Sequence, residues 1–340
     1  MDSVLQLTPR QRSELFIAAA QKSGIDVAVL EKDFWVCWTL KELFGLPVIG
    51  QQLIFKGGTS LSKIFKVINR FSEDIDVSIE RGFLGYGGAN EPEAGASNKE
   101  KQRRVEALMV ACQHNIATDL TPALNSAIHA KIPGTDQWSL RPDETDPDRQ
   151  TLLFDYPSSF PPTESGYIRR SVKIEMGARA DHWPWETKPV MPYVAEQFPQ
   201  GFRQATCELK VLAVERTFWE KATILHAEFH RPESKPSPVR LSRHYCDFYE
   251  LIRTGVAQRT ASQLELLERV AQHKSLFFKS SWAKYSEAAK GTLRIVPPAH
   301  RVTMLRADYT NMREMFFDEP PEFDIIMALL KQWESGFNER

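Results

Sequence analysis

Asp74 and Asp76 flank a single isoleucine in Phe71-Ser72-Glu73-Asp74-Ile75-Asp76-Val77-Ser78-Ile79, where polar and apolar residues alternate from Asp74 to Val77. A period of two marks a strand, and strand residues two apart project to the same side. Side by side, two carboxylates repel each other unless the face is solvated or a cation lies between them. Mg²⁺ answers that need, since it prefers carboxylate oxygens and completes its shell with water and substrate phosphates. Glu175, between Ile174 and Met176 in a second strand-like run over 171–176, is a candidate third acid. An ion pair with Lys173 or Arg179, or exposure at a sheet edge, is the alternative for that residue.

Upstream, Lys56-Gly57-Gly58-Thr59-Ser60 joins a short apolar strand, Leu53-Ile54-Phe55, to a helix expected over 61–69 with Leu61, Ile64, Phe65 and Ile68 on one face. Glycines let a backbone approach a ligand closely, and the free N–H groups of a helix start favour an anion such as a triphosphate. Thr59 and Ser60 add hydroxyl donors. The turn is neither a P-loop, because GxxxxGK[ST] is absent and Lys56 precedes the glycines, nor a dinucleotide-binding fingerprint. Alone it is a weak signal. The aspartate pair that follows gives it weight.

The elements that must position these residues are legible in outline. Thr8 before Pro9, and later Asp26, cap two helices over 8–45, with Leu30, Phe34, Cys37, Leu40 and Phe44 as a core stripe. Residues 81–100, with five glycines, read as a mobile loop, and 100–130 as a long helix. The stretch 131–166 is rich in Pro, Asp and Ser, with short strands at 137–141 and 151–156; a further strand falls within 167–180. Helical patterns follow at 217–230, 242–254, 259–272 and 322–338. Strands early and helices late imply the α+β class: a small mixed sheet with flanking helices over 1–214, then a helical C-terminal domain over 215–340.

With 340 residues, 42% hydrophobic and 26% charged, the chain can bury a sizeable core. Its net charge of −1 excludes a generally basic DNA-coating protein but leaves room for a local basic groove. Cys37, Cys112, Cys207 and Cys246 are scattered with no CxxC pair, which excludes a disulfide scaffold and a zinc ribbon and suits a reducing compartment. No signal peptide and no transmembrane helix is expected, so the reading is a soluble cytoplasmic protein.

The Gly-Gly-Thr-Ser turn, the helix and an Asp-hydrophobic-Asp strand after residues 61–73 resemble the pattern of the DNA polymerase β-like nucleotidyltransferases. More narrowly, FKGGTSLSKIF followed by RFSEDIDVSI resembles the AbiEii/AbiGii toxin family of type IV toxin–antitoxin and abortive-infection systems. ERTFWEKATILHAEF is similar to that family's Glu-Lys motif and points to Lys221; RLSRHYCDFYEL is similar to a further motif and points to Asp247. The resemblance runs from about residue 30 to 337 and is specific over 53–79 and 217–251. It implies transfer of a nucleoside monophosphate from an NTP to an acceptor hydroxyl with release of pyrophosphate. Asp74, Asp76 and Glu175 would hold a two-metal Mg²⁺ site. Gly57, Gly58, Thr59 and Ser60 would seat the β- and γ-phosphates, and Lys221, held by Asp247, would neutralise their charge. It implies an RNA acceptor, the 3′ end of tRNA, and a separately encoded antitoxin; the chain is expected to be a monomer.

On chemistry alone, Lys221 is a solvated helix charge or a phosphate contact, and Asp247, among aromatic residues, needs a partner such as Lys221 or an arginine. Arg231, Lys235, Arg240 and Arg243 form a local basic cluster that is either a solvated loop or a track for an RNA backbone. His226 and His230 lie four apart on a helix but lack the zincin order, and a structural role is expected. Three readings compete: a protein-modifying nucleotidyltransferase, a GTP- or ATP-binding regulator without transfer, and an antibiotic nucleotidyltransferase. The presence of every expected acid argues against the second, and the C-terminal motifs against the third.

Overall fold

The capping signals act as their sequence predicts in the computed structural model, which describes residues 1–134, 137–161 and 169–339. After one short turn, α1 (Asp2–Leu5), Thr8 and Gln11 form a reciprocal capping box at the start of α2 (Pro9–Ser23). Asp26 accepts from the Ala28 N–H at the start of α3 (Val27–Phe44). Leu30, Phe34, Cys37 and Leu40 of α3 are fully buried and Phe44 half-buried. The charges of α3 are met one by one. Glu31 accepts from the Ser158 hydroxyl and the Ser159 N–H, Lys32 pairs with Glu73 at 2.5 Å, and Asp33 with Lys63 at 2.8 Å. Unpaired, each would cost far more than its helix position returns.

The strands are β1 (Leu53–Lys56), β2 (Ile75–Ile79), β3 (Ser139–Pro142), β4 (Thr151–Asp155), β5 (Ser171–Glu175), β6 (Trp185–Val190) and β7 (Cys207–Leu212). They form one mixed seven-stranded sheet in the order β3-β4-β5-β2-β1-β7-β6. β1 runs antiparallel to β2 and parallel to β7, and β2 runs parallel to β5. Trp35 of α3 stacks on Tyr156, with ring centroids 5.5 Å apart, and meets Phe154 of β4 edge-on. Part of the Pro-, Asp- and Ser-rich stretch, with Tyr167, lies outside the described residues.

Three expectations are corrected. The helix after the glycines, α4, spans Gly57–Lys63 rather than 61–69, so the glycines open it. Residues 81–100 form a tied loop: Arg81 pairs with Glu93 at 2.8 Å, and Arg104 donates to the carbonyls of Ala89 and Glu91. The long helix is α5 (Asn98–Asn115) and α6 (Thr121–Lys131) joined by one wider π-turn, which accommodates Pro122 and its missing N–H. A short α7 (Tyr193–Gln197) precedes β7.

The chain divides into two compact units. One is 1–64 with 72–211; the other is 65–71 with 212–340. The second unit contains α8 (Val214–Phe229), α9 (Ser242–Arg253), α10 (Val256–Thr260), α11 (Leu264–Phe277), α12 (Ala299–Thr310) and α13 (Phe323–Glu339). Phe218, Phe248, Trp333 and Phe337 pack at its centre. The segment 65–71 is fixed there by a bridge between Arg70 and Phe316 and by the Phe71 N–H, which donates to the Met315 carbonyl at 2.6 Å.

His226 of α8 is structural. Its Nδ1 accepts from the Arg294 N–H at 3.0 Å, so Nε2 carries the proton and donates to the Lys284 carbonyl at 3.1 Å. No nitrogen is left for a metal. Burial, with His230 and Lys284 nearby, holds this imidazole down at about 4. The unfolded chain takes up a proton near its ordinary value of 6.5 that the folded chain refuses until about 4, so stability should fall as pH drops through that window. The loss should be on the order of 2 kcal/mol. Urea unfolding at about pH 7.5 and about pH 4.5 should show it in the natural protein and a flatter response in His226→Gln. An equal response in both would acquit His226.

Candidate active site

Register brings the first set of predicted residues together. Lys56 of β1 lies opposite Asp76 of β2, and Asp76 lies beside Glu175 of β5. All three side chains leave the same side of the sheet, with Asp74 two residues before Asp76. Burial, and then the charges of Glu175 and Glu73, push the Asp74 carboxyl above its ordinary value. Lysines answer the charge. Lys56 Nζ is 4.0 Å from Asp76, Lys173 pairs with Glu175, and Lys32 pairs with Glu73. Among the described residues no three acids, histidines or cysteines are gathered closely enough to hold a metal ion as they stand.

Gly57 is required by Asp76. Its φ is +83°, and a Cβ built there would lie 1.9 Å from Asp76 Oδ2 and 2.6 Å from its Cγ. Thr59 and Ser60 do not present their hydroxyls to a ligand, contrary to the expectation. Both are buried in the first turn of α4. Thr59 Oγ1 donates to the Asp74 carbonyl at 2.5 Å, with the Ser72 hydroxyl 2.9 Å away. Ser60 Oγ donates to the Gly57 carbonyl at 2.8 Å. Thr59 thus ties the glycine turn to the aspartate strand, and any contact with phosphate from this turn falls to the backbone of Gly57 and Gly58.

The second unit gathers Lys221 of α8 and Asp247 of α9 with a residue the sequence did not single out, Arg70. Arg70 grips Asp247 with two bonds of 2.7 and 2.9 Å, and Lys221 Nζ sits 2.7 Å from Asp247 Oδ2. All three are buried. The two cations hold the Asp247 carboxyl far below the usual carboxylate range despite its burial. Burial lowers the Lys221 ammonium, and the charges of Arg70 and Arg243 lower it further. Arg243 is half-buried, and no carboxylate pairs with it among the described residues. Asp247 is thus shared by Arg70 and Lys221. The signal for Arg70 was its place just before Phe71 in the aspartate motif, together with the need of Asp247 for a partner.

The basic cluster is engaged within the protein. Arg231 is held by Glu228 through two bonds of 2.6 Å and covers the Trp282 ring at 4.4 Å, with Lys235 6.0 Å from the same ring. The Arg240 N–H donates to Asp308, while the charge of Arg243 reaches Lys221.

A strand, a glycine turn into a helix, and an antiparallel strand carrying paired carboxylates, set in a mixed sheet, are together the frame of a nucleotidyltransferase. The chain belongs to the nucleotidyl transferase AbiEii toxin family of type IV toxin–antitoxin systems, whose model matches residues 38–332. Among solved structures it is similar to MenT4, a nucleotidyltransferase toxin from Mycobacterium tuberculosis H37Rv. That likeness has 15% identity, covers 96% of this chain and 90% of that one, and has a TM-score of 0.49. No curated protein matches the chain.

Gly57→Ala should cut turnover by about a hundredfold, the scale of a displacement of about 1 Å at a reacting centre. It should cost about 1–3 kcal/mol for a side chain in the left-handed region. Steady-state assays and thermal melts of the variant measure both, and full turnover would show that Asp76 does not need this cradle. Asp247→Ala should destabilise the chain by about 3–5 kcal/mol, because it removes the carboxylate that two buried cations share, whereas Lys221→Met should cost much less, since Arg70 still holds Asp247. Equal losses in urea would contradict that shared pairing.

Proposed function

We propose that the chain transfers a nucleoside monophosphate from an NTP to a hydroxyl at the 3′ end of an RNA, with tRNA as the substrate the family resemblance favours. The new bond joins the acceptor oxygen to the α-phosphorus, the α–β bridging bond breaks, and pyrophosphate leaves. The observation that carries this reading is the register that sets Asp76 beside Glu175, with the Gly57 cradle admitting the Asp76 carboxylate.

The donor set fits Mg²⁺: Asp74, Asp76 and Glu175 offer hard carboxylate oxygens and no sulfur or imidazole. When bound, Mg²⁺ supplies charge neutralisation for the triphosphate and lowers the proton affinity of the acceptor hydroxyl. Glu175 is the acid we assign to take the hydroxyl proton once Lys173 releases it. The backbone N–H groups at Gly57 and Gly58 are assigned to phosphate oxygens. In the second unit, Lys221 is the residue assigned to phosphate charge, as a point cation whose place Asp247 fixes.

No helix among the described residues is long and apolar enough to cross a membrane, and the four cysteines are free. We infer action in the cytoplasm, as a monomer, under the control of a cognate antitoxin of the kind this family implies.

Incubation with each α-labelled NTP, Mg²⁺, total RNA and total protein tests the reading. Label should enter RNA, and Asp76→Asn should lower its incorporation by at least about a hundredfold while the fold is retained. Label in protein with none in RNA would overturn the choice of acceptor, and undiminished transfer by the variant would overturn the site.

A further inference from the structure

Trp183 and Trp185 are 53% and 50% exposed, while the other six tryptophans are buried or half-buried. They bracket Pro184 where the chain enters β6, the strand at one end of the sheet. The Lys210 ammonium of β7 lies 4.7 Å from the centre of the Trp185 ring. His182 Nδ1 is 2.9 Å from Glu80, and the Lys210 charge also reaches that carboxyl. Rings, cation and histidine thus form one cluster in the first unit.

Register fixes which side of the sheet this cluster occupies. Phe55 pairs with Val211 between β1 and β7, and the next residue, Lys56, pairs with Asp76. Lys210, one residue before Val211, therefore leaves the sheet on the side of Lys56, Asp76 and Glu175. β6 is three strands from β2, about 14 Å at the usual strand spacing.

Large exposed aromatic surface marks a contact. The groups around the two rings select the kind. They are charged: His182 with Glu80, and Lys210 beside the Trp185 ring. A protein interface concentrates apolar neighbours around a buried tryptophan and is depleted of charge there. A flat ring with a cation beside it instead suits an unpaired base and its phosphate.

We propose that Trp183 and Trp185, with Lys210, form a stacking step for the unpaired bases next to the acceptor end of an RNA, on the carboxylate side of the sheet. The proposal rests on the reading of RNA as the acceptor. It sets a requirement that the reading alone does not: the end must be single-stranded, because bases already stacked in a duplex cannot also lie on these rings. Selection is for an unpaired end more than for a sequence, since every base has a π-face.

The test uses the full chain, a labelled single-stranded RNA of about ten nucleotides, and the same strand in a blunt duplex. The single strand should quench tryptophan emission and bind more tightly than the duplex. Trp183→Ala with Trp185→Ala should weaken binding by at least about tenfold without changing its salt slope, since stacking releases no counterions. The paired Phe substitutions should recover affinity to within about threefold, and Lys210→Ala should flatten the salt slope by about one. If the strand binds and the alanine pair changes affinity by less than about twofold, the stacking step is overturned and the RNA reading stands. If inhibition by the antitoxin is lost instead, the surface belongs to a protein partner and the proposal is equally overturned. If no RNA binds or accepts label, the reading of the acceptor fails and takes the proposal with it.

Discussion

Asp76 lies beside Glu175 across the sheet and Asp74 stands two residues before it, so the register sets acids that repel one another on one side of the sheet. Burial, with the charges of Glu175 and Glu73, raises the Asp74 carboxyl. Much of the first unit answers that repulsion. Lys56 and Lys173 face two of the acids, and Lys32, buried in α3, takes up the charge of Glu73 beside them. Gly57 gives the Asp76 carboxylate somewhere to stand. The arrangement is polarised before any ligand arrives.

The second unit poses the opposite problem. Asp247 is fully buried and could not remain charged alone; Arg70 and Lys221 share it, and the charge of Arg243 reaches Lys221. A buried ion pair is poor evidence for stability, since its desolvation offsets its attraction. Arg70 also gives the segment 65–71 a reason to be where it is. Its two bonds to Asp247 and the backbone bond of Phe71 secure that segment within three residues of Asp74.

The paired aspartates, the glycine turn and the caps at Thr8 and Asp26 were legible because each is a local pattern with a local cause. β7 was missed although Glu208-Leu209-Lys210-Val211 alternates, and β6 hides behind Pro184 and Pro189, residues that a sheet tolerates only at its edge. The start of α4 was misplaced because the apolar stripe from Leu61 outweighed the glycines, although Gly57 is needed at that point for a reason no local pattern carries: the Asp76 side chain nineteen residues on. Thr59 and Ser60 look like ligand donors by type, but only the fold reveals that both hydroxyls are spent inside. Arg70 belongs to the same class. Its partner lies far along the chain, and periodicity has no memory of that kind.

α4 has only seven residues, begins with two glycines, and is too short to be stable by its own hydrogen bonds. Something else must hold the turn against β2. Thr59 does so at one end through the Asp74 carbonyl. At the other, buried Lys63 pairs with Asp33 of α3 at 2.8 Å and lies 3.2 Å from the centre of the Tyr193 ring, while the Tyr193 N–H donates to the same Asp33 at 2.6 Å. Burial raises the Asp33 carboxyl, and Asp33 keeps Lys63 charged in spite of it. The helix is thus pinned from both ends by groups whose removal would leave a buried charge or an open carbonyl. The backbone of Gly57 and Gly58, which offers donors and no side chain, is fixed in place without being covered. A helix this short stays formed because both of its ends are tied to buried groups.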